Sequence, residues 1–360
     1  MHHMYHQLSQ HLARHPAGFP STPSGLEISM LKKLFTKEEA EIALHLAPRP
    51  QTVEKLSEKT AIARNELAKI LARMADKGLV FENKKKGEPR YTLVPFVPGI
   101  YEFQVQHLDE QLAHAFEHLY PHLVKDIAGA KTPWMRVLPA EQSFSGTEVI
   151  PYERASEMLK QVENIAITDC ICRKEQKLIG RGCARPLDSI CLYLGPWADF
   201  AIDKGIGQKA SLQDALKVLE RAENTGLVHL GMNALENLVG MCNCCPCCCG
   251  VMRALTQFNM PSALAKSDYY SVIDVDLCNG CESCVAICPV KAISMNKKNE
   301  KAVVNVADCI GCGLCIMECA PGAISLVAKK QDDIIPPPPS WLEMWRAIAE
   351  EKKKTYFYTQ

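Results

Sequence analysis

The sequence predicts a multidomain α+β chain in three parts, and three observations predict it. The 18 cysteines of the 360 residues fall outside the first 169 residues, ten of them between Cys170 and Cys249 and eight between Cys278 and Cys319. The last eight sit in an internal repeat with a period of 31 residues. The cysteine-free front shows helical apolar spacing followed by two short β-type runs. A helical front region closed by a hairpin is therefore expected, then a middle α/β cysteine-rich domain, then a small cysteine-repeat domain. The apolar fraction of 47% is that of a globular protein.

Composition excludes several classes. Lys+Arg and Asp+Glu are both 41, so no global charge draws the chain to nucleic acid or membrane. No apolar run reaches the roughly 18 residues of a membrane span, and Met1–His6 lacks the regions of a signal peptide. A cytoplasmic location is expected. Thiols stay reduced there, so the cysteines point to metal or cluster ligation rather than disulfides.

Residues 1–25, with five His and three Pro, are expected as a flexible arm. Residues 26–100 form the front domain. Thr36 and Glu39 make a capping box for a helix running to Leu46. Thr52 opens a short helix to Lys59, and a turn near Ala61 leads to a helix over 63–77. Leu67, Ile70, Leu71 and Met74 line one face of it, and Gly78 stops it. Leu79–Glu82 and Arg90–Val94 can pair around Lys84, Lys85 and Lys86. This order resembles the winged helix-turn-helix of small transcription regulators, over about 70 residues. Residues 1–100 carry 15 Lys+Arg against 10 Asp+Glu. The resemblance implies possible DNA contact through Arg64, Asn65, Lys69, Arg73 and Lys77 and the wing lysines. A solvated, protein-contacting face is the competing reading.

Residues 101–150 are expected as a helix over 101–125, then a linker. His114 and His118 share a helix face, but no carboxylate completes a metal motif. Residues 151–260 form the middle domain. A helix near 152–161 and a strand near 165–168 lead to Cys170-Ile171-Cys172-Arg173, then Cys183 and Cys191. Ser211 and Asp214 start a further packing helix. Cys242-Asn243-Cys244-Cys245-Pro246-Cys247-Cys248-Cys249 puts six cysteines in eight residues, which no apolar core demands. One octapeptide cannot easily set four thiolates on one cubane. One or two further [4Fe-4S] clusters shared with Cys170, Cys172, Cys183 and Cys191 are expected, with zinc as the alternative. Ten thiols exceed the eight that two cubanes need. Arg173, Lys174, Lys177, Arg181 and Arg185 would lower nearby thiol pKa values. His229 is expected as a structural histidine rather than a ligand. Cys248-Cys249-Gly250 resembles the Cys-Cys-Gly motif of heterodisulfide reductases, but the cysteines that follow belong to the repeat.

Within residues 268–328, Cys278, Cys281, Cys284 and Cys288 align with Cys309, Cys312, Cys315 and Cys319. Each half reads C-x2-C-x2-C-x3-C, trailed by Pro289 or Pro321. This closely resembles the bacterial two-cluster ferredoxin domain, in which the fourth cysteine of each motif serves the other cluster. The resemblance implies two [4Fe-4S] clusters: Cys278, Cys281, Cys284 and Cys319 on cluster I, and Cys309, Cys312, Cys315 and Cys288 on cluster II. Residues 329–360 are a Pro-rich linker and an amphipathic helix capped by Ser340 and Glu343. Its Trp341, Trp345 and Ile348 would dock on this chain or on a partner.

The implied function is ferredoxin-type electron transfer to a redox partner protein. The alternatives are a redox-sensing winged-helix DNA-binding regulator and an oxidoreductase subunit with a substrate-binding cluster. No nucleophile–base pair or nucleotide fingerprint marks a self-contained catalytic site, and nothing in the pattern specifies an oligomeric state.

Overall fold

A computed structural model describes residues 2–84, 87–144 and 151–354. Its first element corrects the expectation of a flexible arm over 1–25. Residues His2–Ala13 form helix α1, with Tyr5, Leu8 and Leu12 buried. Their spacing of three and four residues makes a helical stripe that the surrounding histidines obscure. Tyr5 donates to the Phe35 carbonyl at 3.0 Å, fixing α1 on α2 (Leu26–Leu34).

The front region then follows its sequence signals. The Thr36–Glu39 capping box forms and starts α3 (Lys37–Ala43). After β1 (Gln51–Thr52), Thr52 caps α4 (Val53–Thr60). Ala61 turns the chain at φ 56° into α5 (Arg64–Asp76). Gly78 takes φ 70°, and a Cβ there would lie 2.6 Å from Phe103 Cβ, so both the angle and the space call for glycine. Strands β2 (Phe81–Asn83) and β3 (Arg90–Thr92) complete an antiparallel sheet of order β1-β3-β2. Lys85 and Lys86 of the expected wing tip lie outside the described residues.

Asp109 caps α6 (Glu110–Ile127), and the start of the expected helix is instead a separate short 3-10 helix, Glu102–Gln106. The expected linker contains β4 (Met135–Leu138), fully buried between Pro133 and Pro139. The prolines hid it, because they mark its ends rather than a loop. Next come α7 (Ala155–Lys160), β5 (Ile165–Thr168), α8 (Ile171–Leu178), β6 (Cys191–Leu194), α9 (Pro196–Asp203) and β7 (Gln208–Ala210). Ser211 and Asp214 form a capping box on α10 (Leu212–Asn224), followed by β8 (Val228–Met232), β9 (Gly240–Cys244) and α11 (Gly250–Thr256). The six strands pair in the order β4-β8-β9-β6-β5-β7, every pair antiparallel. The middle region is therefore α+β, not the α/β that alternating helices and strands suggested. The whole chain is mixed α+β.

The C-terminal repeat folds as β10 (Tyr269–Ile273), α12 (Ser283–Ile287), β11 (Ile293–Asn296), β12 (Lys301–Val304), α13 (Leu314–Met317) and β13 (Ile324–Ala328). β10 pairs with β13 and β11 with β12. Its docking is specific: Ala140 N–H donates to the Cys312 carbonyl at 2.9 Å. Gly311, at φ 68°, passes where a Cβ would meet Ser267 Oγ at 2.1 Å. Arg136 of β4 is buried beneath this junction, against Glu153 and 3.9 Å from Asp268.

Ser340 caps α14 (Trp341–Glu351), which buries Trp345 and Ile348 on this same chain. Its end meets the start of the chain. Lys352 Nζ donates to the Pro16 carbonyl, and the His15 ring stands edge-on to Trp345 at 4.8 Å. Burial first, then Lys354 and Lys352, push the His15 pKa down to about 3. In the unfolded chain it lies near 6.5, so that state takes the proton first as pH falls. This contribution is whole above about 6.5 and is lost progressively toward 3. From pH 7 to pH 5 it falls by about 2 kcal/mol. Thermal midpoints across that range should drop further for the wild type than for His15→Gln. Parallel curves would contradict this.

Candidate metal centres

All 18 cysteines are free thiols. The ten of the middle region separate into a four and a six, because of how β9 ends. Alternate residues of a strand share a face, so Cys242 and Cys244 project together while Asn243 points the other way. The chain then turns at Pro246, carrying Cys245, Cys247 and Cys248 to a second place, and Cys249 returns at the N-cap of α11. The octapeptide thus divides between two groups of thiols, each of which also includes earlier cysteines.

The first site is Cys183, Cys245, Cys247 and Cys248, whose sulfurs all lie within 4.8 Å of one another. Cys183 is 3.9 Å from Cys245 and 3.7 Å from Cys248, and Cys248 is 3.8 Å from Cys247. Four thiolates around one tetrahedral ion, at bonds of about 2.3 Å, stand about 3.8 Å apart. A cubane places its thiolates on four separate irons and needs them wider. The hydrogen bond from Cys248 and the Arg173 guanidinium lower the Cys245 thiol against burial, which favours its thiolate form.

The second site contains Cys170, Cys172, Cys191, Cys242, Cys244 and Cys249. Cys170 opens α8, Cys172 lies in its first turn, and Cys191 starts β6. Cys170 contacts Cys172 and Cys191, Cys191 contacts Cys242, and Cys242 contacts Cys244. Cys244 contacts Cys249, which closes the ring on Cys172. All six line one mainly apolar cavity of about 150 Å³. Contacts to Cys242 and Cys249, with burial, push the Cys244 thiol well above its usual range.

Arg173 sits between the two sites, 3% exposed. It faces Cys170, Cys191 and Cys244 on one side and donates to Cys245 at 3.8 Å on the other. Another donation, to the Asn243 carbonyl at 3.0 Å, leaves its Nε and Nη2 buried without an acceptor. The other expected basic neighbours turn elsewhere: Lys174 to the Val105 carbonyl, Arg181 to Glu117 and Arg185 to the Thr225 carbonyl. His229 is buried between Asn243 Oδ1, 2.5 Å away, and Glu223 Oε1, 3.0 Å away, and so holds β9 in place as a structural histidine. His114 and His118 stay exposed on α6.

In the C-terminal region Cys278, Cys281, Cys284 and Cys319 line one small cavity. Cys288, Cys309 and Cys315 are neighbours of the buried Cys312. Ala292 N–H donates to Cys288 Sγ at 3.2 Å, and Ser271 Oγ lies 3.2 Å from Cys315 Sγ. Hydrogen bonds of this kind tune a cluster's potential.

The front region presents Arg64, Asn65, Lys69 and Arg73 of α5 to solvent. Behind that face, Phe81 of β2 packs on Phe200 at 5.0 Å, and Phe103 packs on Phe200 and Trp197 at 4.8 and 5.1 Å. Tyr101 donates to Glu175 on α8, one turn past Cys172. Sequence reasoning missed this connection, since Phe96–Gln106 has no periodic pattern.

Comparison with known proteins agrees at both ends. Residues 270–320 match the 4Fe-4S dicluster domain, so two [4Fe-4S] clusters are implied there. Residues 31–91 match the Sulfolobus plasmid regulatory protein. No curated protein and no solved structure matches the chain. Among the described residues, no helix is long and apolar enough to cross a membrane.

Proposed function

We propose that the chain is an iron–sulfur-dependent DNA-binding regulator, in which the state of the clusters sets the pose of the winged helix. One observation carries this reading. The segment from Phe96 to Gln106 lies between the front domain and α8, the helix that carries Cys170 and Cys172: Gln104 donates to the Lys77 carbonyl at the end of α5, Phe103 packs on Phe200 of α9, on which Phe81 of β2 also packs, and Tyr101 and Val105 bond α8. A change in charge or ligation at the ring moves α8, and Tyr101, Phe103 and Val105 pass that movement to the wing. The match of residues 31–91 to a plasmid regulatory protein supports the DNA end of the path.

In this reading, Cys278, Cys281, Cys284 and Cys319 hold cluster I, and Cys309, Cys312, Cys315 and Cys288 hold cluster II. When bound, the clusters supply one-electron exchange. Cys281 is exposed, so an external donor can approach cluster I. Cys183, Cys245, Cys247 and Cys248 hold one tetrahedral ion of the zinc type, which fixes the turn at Pro246. The exposure of Cys281 equally favours a second reading, an electron carrier to a redox partner protein. DNA selected from a random pool should be retarded by the full chain, with affinities at least about tenfold apart between anaerobic reduced and oxidised protein. Absence of retardation in both states, with iron content intact, would leave electron carriage alone.

A further inference from the structure

We propose that Cys170, Cys172, Cys191, Cys242, Cys244 and Cys249 together hold one iron–sulfur centre larger than a cubane, with six terminal thiolates. The eight dicluster cysteines and the four-thiol site leave these six, and the fold joins them. They come from four separate elements, α8, β6, β9 and α11, yet all six line the same cavity. None of the six is exposed.

Three features decide what the ring takes. First, number: a mononuclear tetrahedral site uses four thiolates, and so does a cubane, at one per iron. Either would strand two buried thiols beside it. Second, shape: the sulfurs of the neighbouring four-thiol site already stand at 3.7–3.9 Å, the spacing of four thiolates around one tetrahedral ion. The six instead share the wall of one larger, mainly apolar cavity of about 150 Å³, room that a multi-atom core would use and a pair of bare ions would not. Third, charge and hydrogen bonding: Arg173 is buried beside the ring with Nε–H and Nη2–H lacking acceptors. Inorganic sulfides of an anionic core would accept both, in the way that hydrogen bonds to sulfur stabilise such clusters. With one thiolate per iron, the core contains six irons or more.

Metal and sulfide counting on the full chain, prepared anaerobically with iron and sulfide supplied, tests this directly. Mössbauer spectra would be recorded for the wild type and for six single Cys→Ala variants. The wild type should hold about fourteen irons or more, counting about eight in the dicluster domain. Each of the six substitutions should alter the spectrum of the additional irons and leave the dicluster signal in place. A Cys183→Ala/Cys248→Ala variant should lose its zinc-type ion and keep the ring irons. The proposal is overturned by a wild type holding about eight or about twelve irons, by about three zinc ions per chain, or by two silent positions among the six. If a substituted chain does not fold, the wild-type count and spectrum still decide.

Discussion

An Arg64→Ala/Lys69→Ala/Arg73→Ala variant should lose about a hundredfold or more in DNA affinity and keep its full iron content. The three side chains are all exposed on α5, the second helix of the helix-turn-helix, Arg64 in its first turn and Lys69 and Arg73 further along. In such folds the N-terminal residues of this helix meet base edges, and flanking cations meet phosphates. One base-edge contact is worth about 1–3 kcal/mol. Removing a cation from one phosphate makes the slope of log affinity against log salt shallower by about 0.9. The fold itself should be unaffected. Arg64 pairs with Glu54 at 3.1 Å and Arg73 with Glu38 at 3.5 Å, but all four side chains are more than half exposed. Pairs of that kind contribute about 0–1 kcal/mol and yield readily to phosphate. Unchanged affinity and salt slope would remove α5 from the interface.

Arg136→Met should cost about 3 kcal/mol or more and loosen the dicluster domain from the sheet. Arg136 is 1% exposed and contacts Glu153, with Asp268 3.9 Å away. Tyr152 donates to Asp268 at 2.7 Å and receives the Arg136 guanidinium over its ring. Burial already lifts the Glu153 carboxyl to about 7, above what Arg136 can offset. Removing the cation leaves two buried acids with only the half-buried Lys329 nearby, and that deficit, rather than the strength of the pair, sets the cost. Adding Glu153→Gln should restore part of the stability, because both changes act on the same ion pair. Thermal unfolding and proteolysis near residues 260–268 would measure both effects. Additive losses in the double variant would contradict this account of the junction.

Much of the architecture was legible because its signals are local. The capping boxes at Thr36 and Ser211, the Ser340 cap, the Ala61 turn and the strand at Ile165–Thr168 each depend on a few adjacent residues. The 31-residue repeat is equally explicit, since one motif occurs twice in register. What escaped was masked or non-local. The stripe of Tyr5, Leu8 and Leu12 hides among histidines, and β4 hides between prolines. The antiparallel order of the large sheet rests on pairings such as Leu138 with His229, far apart in the chain. The division of ten thiols into four and six follows from where β9 stops and Pro246 turns, which spacing alone does not encode. Arg173 stood in the sequence as one of five basic residues. Only burial singles it out.

The most direct test of a cluster-controlled winged helix is a DNA titration at a series of poised potentials, with the dicluster EPR signal followed in the same samples. The affinity should change with the midpoint of a cluster, and saturating DNA should shift that midpoint by about 59 mV for each tenfold change in affinity, because the coupling is reciprocal. An affinity that stays flat while the clusters pass from oxidised to reduced would contradict the account.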